Sequence, residues 1–289
     1  MLLESVPNFS EGRDGEVVGA LRTALSSPAR LLDVHVDADH HRSVFTLVGE
    51  PEPLVETLLA GIAVARDRID LRRHEGAHPR IGAADVVPIV PIRPGDMEAA
   101  RETALALARR VGEELGLPVF LYGELAPERG PAFFRRGGTA ELARRLAAGE
   151  LVPDFGRGEL HPSAGGVIVG ARRPLIAFNV NLRGDVAVAR EIAALVRETG
   201  GGFPGVRALG LDLPRAGVVQ VSMNVEDWEA TALHQLVARS PPSPRRSSTP
   251  ARRPRAGGRD RGPAPQGSRR RSHARAPRSR ARPRPRRAG

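Results

Sequence analysis

The 289-residue chain has no cysteine and no lysine, a single tryptophan and a single tyrosine. Without cysteine there are no disulfides, thiol nucleophiles or Cys-based zinc and iron–sulfur centres, which suits a reducing compartment. No segment approaches the ~20 apolar residues that cross a bilayer. Glu4 and Pro7 fall where a secretory signal would carry its apolar core. A soluble, cytoplasmic protein without membrane attachment is expected. Without lysine the phosphate loop G-x-x-x-x-G-K-[ST] cannot be completed, and no G-x-G-x-x-G follows a strand. No G-x-S-x-G elbow occurs, and Ser163 in HPSAG does not make one. So few large aromatics also argue against a platform that stacks single-stranded bases.

The formal net charge is +11, but it is unevenly placed. Seventeen of the 44 basic residues and one of the 33 acidic ones, Asp260, lie in residues 240–289, so that segment carries +16. Residues 1–239 keep 27 basic against 32 acidic residues, a net −5. The body is mildly acidic and the basic pI belongs to the tail. All basic residues are Arg amid abundant Ala, Gly and Pro, which points to a GC-rich coding bias. The tail has no Leu, Ile, Val, Phe, Met, Tyr or Trp. It therefore cannot offset the ~1–2 kcal/mol per residue that ordering a backbone costs, and it is expected to be disordered. Any nucleic-acid binding would belong to this tail through phosphate contacts; GC-rich DNA read out of frame gives the same composition.

The body alternates strand and helix patterns. Strands are expected at residues 2–6, 31–36, 44–48, 119–122, 167–169, 175–180, 206–211 and 218–223. Helices are expected at 14–25, from 54 to about 69, around 139–147, at 185–197, and from Glu226 through Val237. The clearest helix carries Met97, Ala100, Ala104, Leu107, Ala108, Val111 and Leu115 at steps of three and four, with Gly116 as the stop. The run DVVPIVPI at 85–92 contains two prolines and predicts an edge or bent strand. The pattern implies an α/β (α+β sandwich) fold, two mixed-sheet subdomains with helices packed on the sheets. The strand–helix rhythm restarts near residue 174, which divides the body into 1–173 and 174–239.

His74-Glu75-Gly76-Ala77-His78 matches the zinc-protease pattern H-E-x-x-H, which requires both imidazoles on one helical face. Gly76 and Pro79 work against that helix, so no metal site is expected. His78-Pro79-Arg80 lies instead on an irregular loop before a strand. An imidazole with an ordinary pKa near 6.5 both gives and takes a proton near neutrality, and a neighbouring guanidinium can hold a carboxylate by two parallel hydrogen bonds. A surface histidine in a mobile loop is the competing reading. Other polar loops at strand ends are residues 7–13 with Asn8, residues 37–42 with Asp37, His40 and Arg42, and the glycine-flanked GRGELHPSAGG at 156–166. Asn179 and Asn181 share one face of a strand whose other face carries Ile176, Phe178 and Val180. That polar face suggests ligand contact, or a solvated sheet face.

Several of these segments resemble the formiminotransferase family: VPNFSEGR (6–13), DHHRSVFTLVGEPE (39–52), HEGAHPRIGAADVVPIVPI (74–92), PVFLYGE (118–124), PDFG (153–156) and LIAFNVNL (175–182). The resemblance runs in order from about residue 2 to 239. It implies transfer of a formimino group from N-formimino-L-glutamate to tetrahydrofolate, the acceptor co-substrate, as in histidine breakdown. It also implies two α/β subdomains with a folate tunnel between them, usually in homodimers. The family's catalytic histidine in its H-P-R context corresponds to His78. Its folate-binding stretch after P-D-F-G corresponds to Gly156, Arg157, Gly158, Glu159, Leu160, His161, Pro162, Ser163, Ala164 and Gly165. Asp37, Asp39 and His40 fall in a segment near the family's site. Both substrates carry carboxylates, which makes Arg80 and Arg42 candidate anchors. Family members continue past the helix expected near Glu226, where this chain carries its Arg/Pro tail. Residues 174–239 are therefore expected to be the less stable part, and a folate-binding but inactive homologue is the alternative to the enzyme.

Overall fold

The computed structural model describes residues 1–239; the expectations for 240–289 lie outside the described residues. The first sheet is built by β1 (Leu3–Ser5), β2 (Asn8–Phe9), β3 (Arg30–Asp37), β4 (Arg42–Gly49), β5 (Ala84–Pro91), β6 (Val119–Gly123) and β7 (Val167–Ala171). β1 and β2 are two pieces of one sheet position, broken at Val6-Pro7 and lying between β4 and β5. The order across the sheet is β3, β4, β1/β2, β5, β7, β6. β5, β7 and β6 run parallel and the remaining pairs antiparallel, so the sheet is mixed.

On one face lie α1 (Gly15–Ala24), α2 (Pro51–Arg68) and α3 (Met97–Leu115). Asp14 caps α1 by accepting from the amides of Glu16 and Val17, and Gly116 ends α3 in the left-handed region at φ +64. Their apolar stripes meet Phe45, Leu47, Val87, Ile89, Val119, Leu121, Val167 and Val169. On the other face α4 (Pro131–Arg135) and α5 (Gly138–Ala147) cover Val86, Phe120, Tyr122 and Ile168. β5, β6 and β7 are thus buried on both faces, which is why they read as continuous apolar runs. β4 alternates buried and half-buried positions because helices cover one side of it.

The expected edge placement of residues 85–92 is overturned: β5 is central, with β1/β2 on one side and β7 on the other. Pro88 is accommodated because its carbonyl, and with it the position of its missing N–H, faces β1/β2. There the sheet is already interrupted at Val6-Pro7, and Ser5 Oγ donates to Pro88 O at 2.7 Å. Pro91 is the strand's last residue. The short helix α4 has no counterpart among the expected elements.

The second sheet holds β8 (Ile176–Leu182), β9 (Val206–Leu213) and β10 (Val218–Val225) in the antiparallel order β8-β10-β9. One face packs on α6 (Val186–Val196) and α7 (Leu233–Arg239) through Ala189, Ile192, Val196, Val221, Met223 and Leu236. The helix expected from Glu226 starts only at Leu233. Asp227 instead closes a turn, its carboxylate accepting from Ala230 N and its carbonyl from Thr231 N. Among the described residues, no helix is long and apolar enough to cross a membrane.

Candidate active site

β4 and β5 begin, and β2 ends, at the same edge of the first sheet. Three loops therefore converge there: 10–14, the β3–β4 turn at 38–41, and 74–83. Gly12 permits the first approach, since a Cβ on it would lie 2.2 Å from Asp37 O and 2.6 Å from Arg42 N. The Glu11 carboxylate receives the amides of Gly12, Arg13 and Asp14 at 2.7–2.9 Å, fixing the turn into α1. His41 takes φ +49, a left-handed conformation that lets the turn fold back.

At the centre stands His78, half-buried. Its Nδ1 lies 2.8 Å from Pro79 O. A carbonyl oxygen only accepts, so Nδ1 carries the proton and Nε2 holds the lone pair. Arg42 Nη1 sits 3.0 Å from Nδ1 and 3.1 Å from Nε2, against the ring rather than in line with either nitrogen. Burial, and then the charges of Arg42 and Arg135, hold the His78 pKa well below its usual 6.5. The ring is neutral at pH 7, with one proton-accepting nitrogen toward the cationic cluster.

That cluster turns on Asp85, the second residue of β5 and 1% exposed. Its Oδ1 accepts the amide of Ile81 at 2.8 Å, and its Oδ2 accepts Arg42 Nη2 at 2.9 Å together with Arg135 Nη2 from α4. Burial pushes Arg42 down to about 9, opposed by Asp85, which leaves it charged at neutral pH. One carboxylate thus spaces two guanidiniums beside the imidazole.

Arg80, expected as a carboxylate anchor, is engaged otherwise. Its Nε and Nη2 donate to His78 O, its Nη2 also to His40 O, and its Nη1 to His41 O and His74 Nε2, at 2.6–3.1 Å. All five N–H donors of a guanidinium are spent inside the protein, and Arg80 clamps the 40–41 turn to the His78 loop. His40 is buried and paired with Asp37, Nδ1 to Oδ2 at 2.9 Å, with its ring 6.1 Å from that of His78. His41 stacks on His74 at 3.9 Å and lies 3.3 Å from Glu11. His74, pushed down to about 4 by burial and then by Arg80 and His41, shares no helical face with His78, because residues 74–80 are not helical. Asp39 reaches the second sheet, its carboxylate accepting the amides of Arg215 and Ala216 in the β9–β10 turn at 2.8 and 3.0 Å.

The 156–165 segment joins this edge through backbone bonds. Gly166 N donates to Ile81 O, Ala83 N to Ala164 O, and Gly82 bridges Gly165. Within it, His161 Nδ1 accepts the amides of Ala164 and Ser163 and faces the Ser163 hydroxyl, with Pro162 at the bend and His161 paired to Gly165. Gly156 takes φ +84 and packs on Leu117 O beside the end of α3. Among the described residues, none bonds to the backbone of 156–160, so Gly156, Arg157, Gly158, Glu159 and Leu160 present free amides and carbonyls. A Cβ on Gly82 would fall 1.8 Å from Gly166 O. Gly82→Ala is accordingly expected to displace the segment at a cost of about 1–3 kcal/mol, read as a lower Tm and faster amide exchange in 156–166.

Asn8, in β2, turns its Nδ2 onto Val6 O at 2.9 Å and is half-buried. Asn179 and Asn181 are exposed on the same face of β8, with Asn181 Oδ1 accepting Gln220 Nε2 at 2.9 Å; no contact joins either to His78 in the structure. Sequence reasoning did not single out Asp85, Arg135, Glu11 or His41. Asp85 had a signal in retrospect: a carboxylate opening a strand that is otherwise apolar.

The formiminotransferase-domain N-terminal-subdomain family matches residues 2–172, and the formiminotransferase domain family matches 177–243. The chain is 41% identical over 240 residues to glutamate formimidoyltransferase of Streptococcus pyogenes, covering 81% of this chain and 80% of that protein. It is 40% identical to the glutamate formimidoyltransferase of Thermoplasma acidophilum over 242 residues, with the same coverage. It is 43% identical over 246 residues to the formimidoyltransferase-cyclodeaminase of Rattus norvegicus, of which it spans 46%. The fold is mixed α/β, the matched relatives are transferases, and the chain belongs to the formiminotransferase family.

Proposed function

We propose that this chain transfers the formimino group of N-formimino-L-glutamate to N5 of tetrahydrofolate, with His78 as general acid and base. The observation that carries the reading is the neutral His78, whose Nδ1–H faces Pro79 O and whose Nε2 keeps a lone pair that can take a proton, beside Arg42 Nη1. Forming the bond between N5 and the formimino carbon releases a proton from N5, and Nε2 receives it. Breaking the bond from that carbon to the glutamate nitrogen requires a proton on the leaving amine, and the same imidazole returns it. Atoms and charge balance, giving glutamate and 5-formiminotetrahydrofolate. Such a relay typically contributes 10²- to 10⁴-fold.

The unbonded backbone of 156–160, on the segment whose far end at 164–166 is bonded to residues 81–83, suits a flat heterocycle with a donor–acceptor edge such as the pterin. Arg42 and Arg135 supply cationic surroundings for carboxylated reactants in the cytoplasm. The test uses the purified chain with both substrates. Glutamate release equal to the folate consumed, by absorbance and amino-acid analysis, is expected. Saturable folate binding without glutamate release would reduce the chain to a binding module.

A further inference from the structure

We infer that Arg135 is the residue that seizes the side-chain carboxylate of the glutamate-derived donor and thereby sets donor specificity. The inference rests on the proposed transfer. Five guanidiniums bear on the histidine cluster: those of Arg13, Arg42, Arg80, Arg135 and Arg215. Their donors are not equally available. Arg80 has spent all five on carbonyls and His74. Arg42 holds His78 with Nη1 and Asp85 with Nη2, so diverting it would dismantle the acid–base group. Arg13 is exposed, with Nε on Ala38 O, and Arg215 is exposed at the far turn where it meets Asp39 by its amide.

Arg135 alone combines nearness with free donors. Its Nη2 shares Asp85 Oδ2 with Arg42, which places its guanidinium three hydrogen bonds from His78. Its Nε is buried without a partner, and its Nη1 makes no hydrogen bond among the described residues. An unpaired donor in a buried cationic site is costly unless a ligand completes it. With Nη2 anchored on Asp85 and Nε closed off, Nη1 is the donor left at the open end of the fork to meet a carboxylate. The formimino group itself carries no charge pattern that could distinguish one N-formimino amino acid from another. The carboxylates do, and Arg135 stands beside the reacting edge, at the end of α4, to read one.

The folate tail offers carboxylates too, so the experiment separates the two sources. Wild type, Arg135→Ala and Arg135→Lys are compared for KM with N-formimino-L-glutamate and N-formiminoglycine, each with tetrahydrofolate and with tetrahydropteroate, which lacks the glutamate tail. Calorimetric binding of L-glutamate is measured in parallel. Arg135→Ala is expected to raise the formiminoglutamate KM and the glutamate Kd about 10- to 100-fold. Its preference over formiminoglycine should collapse, the KM for either acceptor should change less than about 2-fold, and Arg135→Lys should restore part of the loss. Unchanged glutamate affinity in Arg135→Ala overturns the inference, as does a defect that disappears with tetrahydropteroate. Should Arg135→Ala fail to fold, a folded Arg135→Lys with wild-type donor selectivity and wild-type glutamate affinity overturns it equally. Wild type that binds glutamate but turns nothing over would count against the transfer reaction, while the calorimetric arm still decides Arg135.

Discussion

His78→Ala is expected to lower kcat for formimino transfer by about 10²- to 10⁴-fold while leaving tetrahydrofolate affinity within a few-fold of wild type. The ring touches Arg42 and Pro79 O but belongs to none of the buried apolar clusters, so its loss removes chemistry rather than packing. Circular dichroism and Tm should be close to those of wild type. His78→Gln keeps a polar group of similar reach but carries no titratable proton, and should fall to the same level. A loss below about tenfold in both variants would assign proton transfer to another group, with His40 and its partner Asp37 the nearest candidates.

Asp85→Ala should do the opposite kind of damage, unfolding the site before it slows it. Asp85 is the only carboxylate bonded to Arg42 and Arg135 among the described residues, and it also receives the amide of Ile81. Removing it leaves two buried cations facing each other and an unpaired amide at the start of β5. Breaking a buried ion pair in this way costs about 3–5 kcal/mol, which for a body of this size corresponds to a Tm loss on the order of 10 °C. Two guanidiniums without their counter-ion should also separate, taking Arg42 off His78. Activity should therefore fall at temperatures well below the melt. Asp85→Asn keeps one accepting oxygen and turns an NH2 toward donors, so it should recover part of the stability but not the charge balance. A stable, active Asp85→Ala would show that the cluster does not organise the site.

How much of this could be read in the chain follows from the range of each interaction. The 3–4 spacing from Met97 to Leu115 and the Asp14 and Asp185 caps are local, and the helices appear where that spacing puts them. The second sheet's strands likewise fall on their β-rich runs. The rank of β5 was not legible, because tolerance of Pro88 depends on a break between β1 and β2 some eighty residues earlier. The helix α4 is five residues long, too short to show a period. Glu226-Asp227 reads as a helix start, but Asp227 closes a turn that delays the helix to Leu233.

The site shows the same division. His78 and the 156–165 segment were visible as polar loops at strand ends and in the motifs shared with the family. The partners that set the ring's state, Arg42 and Asp85, stand 36 residues from His78 and 43 from Arg42 respectively. Only folding brings them together. The adjacency of Arg80 to His78 in sequence suggested a substrate anchor, whereas its side chain points back into the carbonyls of the 40–41 turn.

The pH dependence of kcat/KM decides whether, as proposed, a neutral His78 accepts the first proton. Burial and the two guanidiniums lower the pKa of the free enzyme's imidazole, so the neutral form persists as pH falls through 6.5. The profile should stay level from pH 8 down past 6.5 and fall with slope one only below that. In His78→Gln the residual rate should lack this acid limb. An acid limb centred above 6.5, or one that survives unchanged in His78→Gln, would contradict the assignment.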